Sequence, residues 1–198
     1  MQVTCSRPGV PIVGIPAVCP SIQEDLMLSQ APAPGFDDPI ALLLACHDKV
    51  RHFASLAPRI AQHLAEHGAD LEAAQAATNV LRYFERAAPL HHADEEDDLF
   101  PALRQLGELE LNHSLDTLQA EHALLNALWL AVRPWLDAVT RQQWLPSPAE
   151  LGDFAQRYPA HADQEEALVY GAASKLSAET LQRLGAAMSQ RRGGKAWA

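Results

Sequence analysis

Apolar residues recur at steps of three and four along four long stretches of the chain, which is the spacing of one face of an α-helix. The first stripe runs Ile40, Leu43, Val50, Ala54, Ala57, Ala61, Leu64, with His47 inside it. Asp37 or Asp38 followed by Pro39 supplies its start, Gly68 its end, and Pro58 predicts a kink or a short break. The second stripe, Ala73, Ala77, Val80, Phe84, Ala87, His91, opens behind Asp70 and reaches Leu99 or a little beyond, with Gly107 as its stop. The third, Leu111, Leu115, Leu118, His122, Leu125, Trp129, Val132, Leu136, is the most regular, and Pro134 should bend or interrupt its far end. The fourth starts near Ser147 to Glu150 and reads Leu151, Phe154, Tyr158, His161, Glu165, Leu168. A short fifth helix follows, with Ser177 as its cap and Leu181, Leu184 and Met188 as its apolar positions.

Polar residues interrupt these stripes in a repeated pattern. Counted from His91 and from His161, the chain matches at Leu81 and Leu151, Phe84 and Phe154, Pro89 and Pro159, Glu95 and Glu165, Glu96 and Glu166, and Phe100 and Tyr170. A single histidine on the preceding helix, His47 or His122, completes each unit, so the chain is an internal duplication. In a helix, His91 and Glu95 lie one above the other, as do His161 and Glu165. His92 with Glu96 has the same spacing and is the alternative pair if the facing is wrong by one residue. Pro89 and Pro159 each free the carbonyl one turn earlier, at Glu85 and Ala155, and either tilt the histidine-bearing turn inwards or are merely tolerated bends.

Hydrophobic residues make up 48% of the chain, with much Ala and Leu and 6% aromatics, which favours packed helices and an all-α class. Six of the 14 prolines fall in residues 1–36, which read as a Pro-rich extension, draped over the helices or disordered; the helical domain spans 37–175, and a helix with a loose, solvated tail occupies 176–198. The net charge of −10 disfavours nucleic acid and anionic membranes as partners. No apolar run matches a membrane span or a signal peptide. Cys5, Cys19 and Cys46 form no C-x-x-C pair, which points to a reduced cytoplasm. The sequence leaves a homodimer open.

His47, His91, Glu95, His122, His161 and Glu165 therefore lie on the inward stripes of four consecutive helices. A lone histidine on an apolar face is usually an ordinary core residue, but six such groups with no Lys or Arg on the stripes need another counter-charge. Two cations supply it. If both glutamates bridge, each ion has two imidazoles, two carboxylate oxygens, a shared oxide or hydroxide and one open position, which suits iron that meets O2, peroxide or nitric oxide; manganese and zinc fit less well. The first reading is a protein that binds or senses such a ligand or holds labile iron; an enzyme reducing nitric oxide or peroxide at the same centre is a second, and a metal-free helical interaction module a third. Asp94, Asp97 and Asp98 read as a solvated acidic face, His52, His63, His67 and His113 as solvated surface, Tyr158 as a core aromatic or a relay, and Cys46 as facing away from the site.

The run Pro89-Leu90-His91-His92-x-x-Glu95-Glu96-x-x-Leu99-Phe100-Pro101 resembles the second helix of the hemerythrin-like, or HHE cation-binding, domains. That resemblance covers about 37–175 and implies an up-down-up-down four-helix bundle around a non-haem di-iron centre. Four His and two Glu look most like the di-iron domain of the repair-of-iron-centres proteins. Two departures matter. Asn126 stands where the oxygen carriers have a second histidine on the third helix, which counts against reversible oxygen transport. Residues 1–36 lack the cysteine-bearing domain of the repair proteins, so a repair role is not carried over whole.

Overall fold

A computed structural model describes residues 34–193. The expectations for the N-terminal extension up to residue 33, including Cys5 and Cys19, and for residues 194–198 lie outside the described residues. The described chain is helical, without strands, and forms four long helices and a fifth short one.

Helix α1 (Pro39–His67) opens with Asp38 accepting a hydrogen bond from the Ala41 N–H and closes at Gly68, whose φ of 83° a side chain would strain. Pro58, where a kink or a short break was expected, lies inside it without breaking it. Helix α2 (residues 71–104) is capped by Asp70. It alternates α and π geometry, with π turns at Tyr83–Ala87 and Glu95–Leu99. Each π turn ends two residues before a proline, Pro89 or Pro101, and the N–H just before the proline bonds five residues back, to Tyr83 or Glu95. The wider turn makes room for a ring that would otherwise crowd the carbonyl four residues earlier. Helix α3 (Leu109–Thr140) runs uninterrupted through Pro134. Helix α4 (Leu151–Leu168) stays α-helical through Pro159, so the two repeated prolines act differently. A 3-10 turn (Tyr170–Lys175) leads to α5 (Ala178–Arg191), capped by Ser177.

The stripes set the packing. Each long helix lies against two others, α1 against α2 and α4, and α3 against α2 and α4. Two apolar clusters result. One holds Val50, Phe84, Leu125, Trp129, Phe154 and Tyr158, and the other Leu43, Leu99, Phe100, Leu118, Val169 and Tyr170. The chain passes from the second cluster to the first along α1 and α3 and back along α2 and α4, an up-down-up-down bundle. Leu168 is an exception to its stripe: it is exposed, and Val169 takes the core position. The crossing point between the clusters falls, on all four helices, at the six polar residues.

Helix α5 lies against α1 and α2. Gly185 lets α5 come close to the segment that leads into α1, because any Cβ there would collide with the backbone carbonyl of Phe36. Arg191 and Arg192, expected in a loose solvated tail, instead hold the fully buried Asp94: Arg191 Nη1 at 2.5 Å and Arg192 Nη1 at 3.0 Å from Oδ1. Arg191 also reaches Asp98 at 2.7 Å. The acidic face is thus partly internal, since a carboxylate at the first position of that run meets two guanidiniums from a distant helix.

Candidate metal centre

The layer between the apolar clusters contains His47 from α1, His91 and Glu95 from α2, His122 from α3, and His161 and Glu165 from α4, all buried. They form two overlapping groups: His47, His91, Glu95 and Glu165, with donor atoms within 4.8 Å of one another, and His122, His161 and Glu165. Glu165 belongs to both. Its oxygens lie 3.0 Å from His47 Nε2, 3.5 Å from His122 Nε2 and 3.0 Å from His161 Nε2. Glu95 lies 3.6 Å from His91 Nε2, 3.7 Å from His122 Nε2 and 3.9 Å from His47 Nε2.

These separations permit charge attraction but leave buried atoms without directed hydrogen bonds: both oxygens of Glu165, Glu95 Oε2, His122 Nε2 and His161 Nε2. Unpaired buried polar atoms are costly, and here they converge on one space. Imidazole and carboxylate donors of this kind fit divalent or trivalent cations of the first transition row.

The outer ring nitrogens face the other way. His47 Nδ1 is 2.9 Å from Glu166, His122 Nδ1 2.5 Å from Glu96, and His161 Nδ1 3.0 Å from Glu121. His91 Nδ1 has no partner among the described residues. A carboxylate on the outer nitrogen fixes the tautomer and makes the inner nitrogen a better donor. Glu96 and Glu166 therefore serve histidines on other helices, a role that the sequence reading missed although the repeat had marked both positions. Arg51 completes the Glu166 side with a 2.7 Å contact.

His91 and not His92 enters the cluster. His92 stacks on the outer side of His122, with ring centroids 4.0 Å apart and planes at 10°. Burial, with His122 alongside, pushes its pKa down to about 3. Tyr170, singled out only as a repeat position, reaches the centre: its hydroxyl donates to Glu95 Oε1 and lies 3.1 Å from His47 Nε2. Tyr158 is a core aromatic whose hydroxyl donates to the Leu125 carbonyl at 3.0 Å. Cys46 is half-buried, outside both groups, and burial raises its thiol to about 11. Among the remaining histidines, His67 and His113 are exposed as expected, but His63 bonds Asp70 at 2.9 Å and His52 is half-buried.

Without a cation the two carboxylates diverge. Burial alone would raise Glu165, but the His122, His161 and His47 rings beside it hold it well below the usual range. Glu95 is pushed well above that range, by burial and then by the charge of Glu165. A cation between them would reverse the local balance that sets the two apart.

A cleft of about 850 Å³ between α2 and α3 reaches this layer from outside, past Phe84, Trp129, Asn126 and His92 to His122. No described helix is long and apolar enough to cross a membrane.

Comparison with known proteins gives a match of residues 38–173 to the family model described as hemerythrin HHE cation binding domain. The chain is also 35% identical over 158 residues to an uncharacterized protein of Haemophilus influenzae, an alignment covering 79% of this chain and 91% of that one.

Proposed function

The chain belongs to the hemerythrin HHE cation-binding family, and on that premise we propose that it holds two iron ions and binds or senses O2, nitric oxide or peroxide in a reduced cytoplasm. His47 and His91 hold one ion, His122 and His161 the other, and Glu95 and Glu165 lie between them. The observation that carries this reading is the set of buried carboxylate and imidazole atoms without partners, facing one another across the layer between the two apolar clusters. Iron bound there would supply an open coordination position for a small ligand.

The chain's own residues set the conditions around that position. Glu96, Glu121 and Glu166 orient three of the four imidazoles from outside. Phe84, Trp129 and Tyr158 give the cleft an apolar wall that limits water near the centre. Asn126, four residues after His122, lines the cleft.

The test is metal content and the absorption spectrum of the full chain, purified without a histidine tag. Two irons per chain with near-ultraviolet charge-transfer bands are expected, followed in stopped flow by a stoichiometric spectral change on adding nitric oxide, O2 or peroxide. Failure to take up iron under anaerobic loading would overturn the reading. Multiple turnovers with an added reductant would replace sensing by catalysis at the same centre.

A further inference from the structure

We propose that Tyr170 is a seventh side chain of this centre, its phenol oxygen binding the ion held by His47, His91 and Glu95. The inference rests on the di-iron reading and deepens it.

Around a six-coordinate ion with bonds of about 2.1 Å, neighbouring donor atoms stand roughly 3 Å apart, the edge of an octahedron. The Tyr170 oxygen has that relation to its neighbours. It lies 3.1 Å from His47 Nε2 and within hydrogen-bond distance of Glu95 Oε1, while His47 Nε2 is itself 3.0 Å from Glu165. The ring is held in place by stacking on His47, with centroids 5.0 Å apart and planes at 14°, and the side chain is buried. Its position therefore does not depend on a flexible reach.

The duplication provides an internal control. Phe100 stands nine residues after His91 as Tyr170 stands nine after His161, and it lies against His122 with planes at 13°. Both halves have the ring, and the hydroxyl occurs in one. Ring packing alone is satisfied by phenylalanine, as Phe100 demonstrates. What the hydroxyl adds is an oxygen among the donor atoms of one ion.

In the ion-free protein the phenol keeps its proton, which it donates to Glu95 Oε1. A bound cation reverses that local balance. On binding, the phenol O–H bond breaks, its proton passes to bulk water, and the oxygen's electron pair forms the bond to iron. No oxidant is needed, because the oxidation state of the iron does not change.

The full chain, loaded with iron and oxidised in air, is examined by visible absorption and by resonance Raman excited in the visible band. A phenolate-to-ferric band with tyrosine ring vibrations is expected. Tyr170→Phe should lose nearly all of that band and the ring vibrations while retaining two irons and the near-ultraviolet bands; Phe100→Tyr in that background should restore a band. Two irons without a visible tyrosine band in the wild type, or an undiminished band in Tyr170→Phe, would overturn the proposal and leave the di-iron reading intact. Absence of iron from the wild type would overturn both. If Tyr170→Phe does not fold, the wild-type Raman spectrum decides alone.

Discussion

The two halves of the centre are built from a duplicated stretch, yet they are finished differently. The α3–α4 half has a carboxylate on the outer nitrogen of each histidine, Glu96 on His122 and Glu121 on His161. In the α1–α2 half, His47 has Glu166 but His91 Nδ1 has no partner among the described residues. The cause is visible at one position: Glu121 precedes His122, whereas Cys46 precedes His47. The α1–α2 half has instead a phenol, Tyr170, and an ion-paired helix packed over it. Duplication copied the inward groups and left the outer contacts free to diverge.

The largest expected effect tests what the halves share. Glu165 belongs to both groups, so Glu165→Ala should reduce bound metal from two ions per chain to fewer than one by elemental analysis; retention of both ions would mean the halves are independent. Next comes the α5 side. Arg192→Ala leaves the buried Asp94 short of a guanidinium and should cost about 3–5 kcal/mol in denaturant unfolding of the metal-free protein, less to the extent that Arg191 compensates. Glu121→Gln should weaken metal held by His122 and His161 by about 10–100-fold in chelator competition. The ion at His47 and His91 should be little affected. Equal loss from both halves would erase the asymmetry.

The smallest effect is in pH dependence, where His91 and His161, matched in sequence, have opposite signs. Burial lowers His161, but Glu165 and then Glu121 outweigh it and its folded pKa is raised. Its contribution is therefore fully present below the unfolded value of about 6.5 and lost as pH rises through the folded value. Burial, then the charge of His47, holds His91 well below 6.5. It therefore withdraws stability as pH falls below about 6.5, since the unfolded chain binds the proton first. In metal-free protein, the Tm difference between wild type and His161→Gln should shrink from pH 6 to 9, and that for His91→Gln should shift towards stabilisation from pH 7 to 5. Shifts of the same sign would remove this distinction.

Four stripes, their caps at Asp38, Asp70 and Ser177, and the convergence of six polar residues were legible because each depends on neighbours within a turn or two. Helical periodicity fixes which side chains share a face, and an apolar face must be buried against others. Glu96 was harder to read, because its partner His122 is 26 residues away and on another helix. Its repeat position marked it without revealing its role. Pro58 was read as a kink or a short break and Pro134 as a bend or an interruption; neither interrupts its helix, because long helices packed on both sides tolerate the loss of one backbone hydrogen bond.

The sequence by itself determined the all-α class, the duplicated unit and the inward placement of His47, His91, Glu95, His122, His161 and Glu165, since a period of 3.6 residues is a property of the backbone. Tertiary structure decided which outer nitrogens have carboxylates, that Tyr170 reaches Glu95, and that Arg191 and Arg192 bury Asp94. Those contacts join residues separated by 40 to 97 positions in the case of Glu121 with His161, Tyr170 with Glu95, and Arg191 with Asp94. No local rule relates such residues; only the angle and register at which the helices pack brings them within reach.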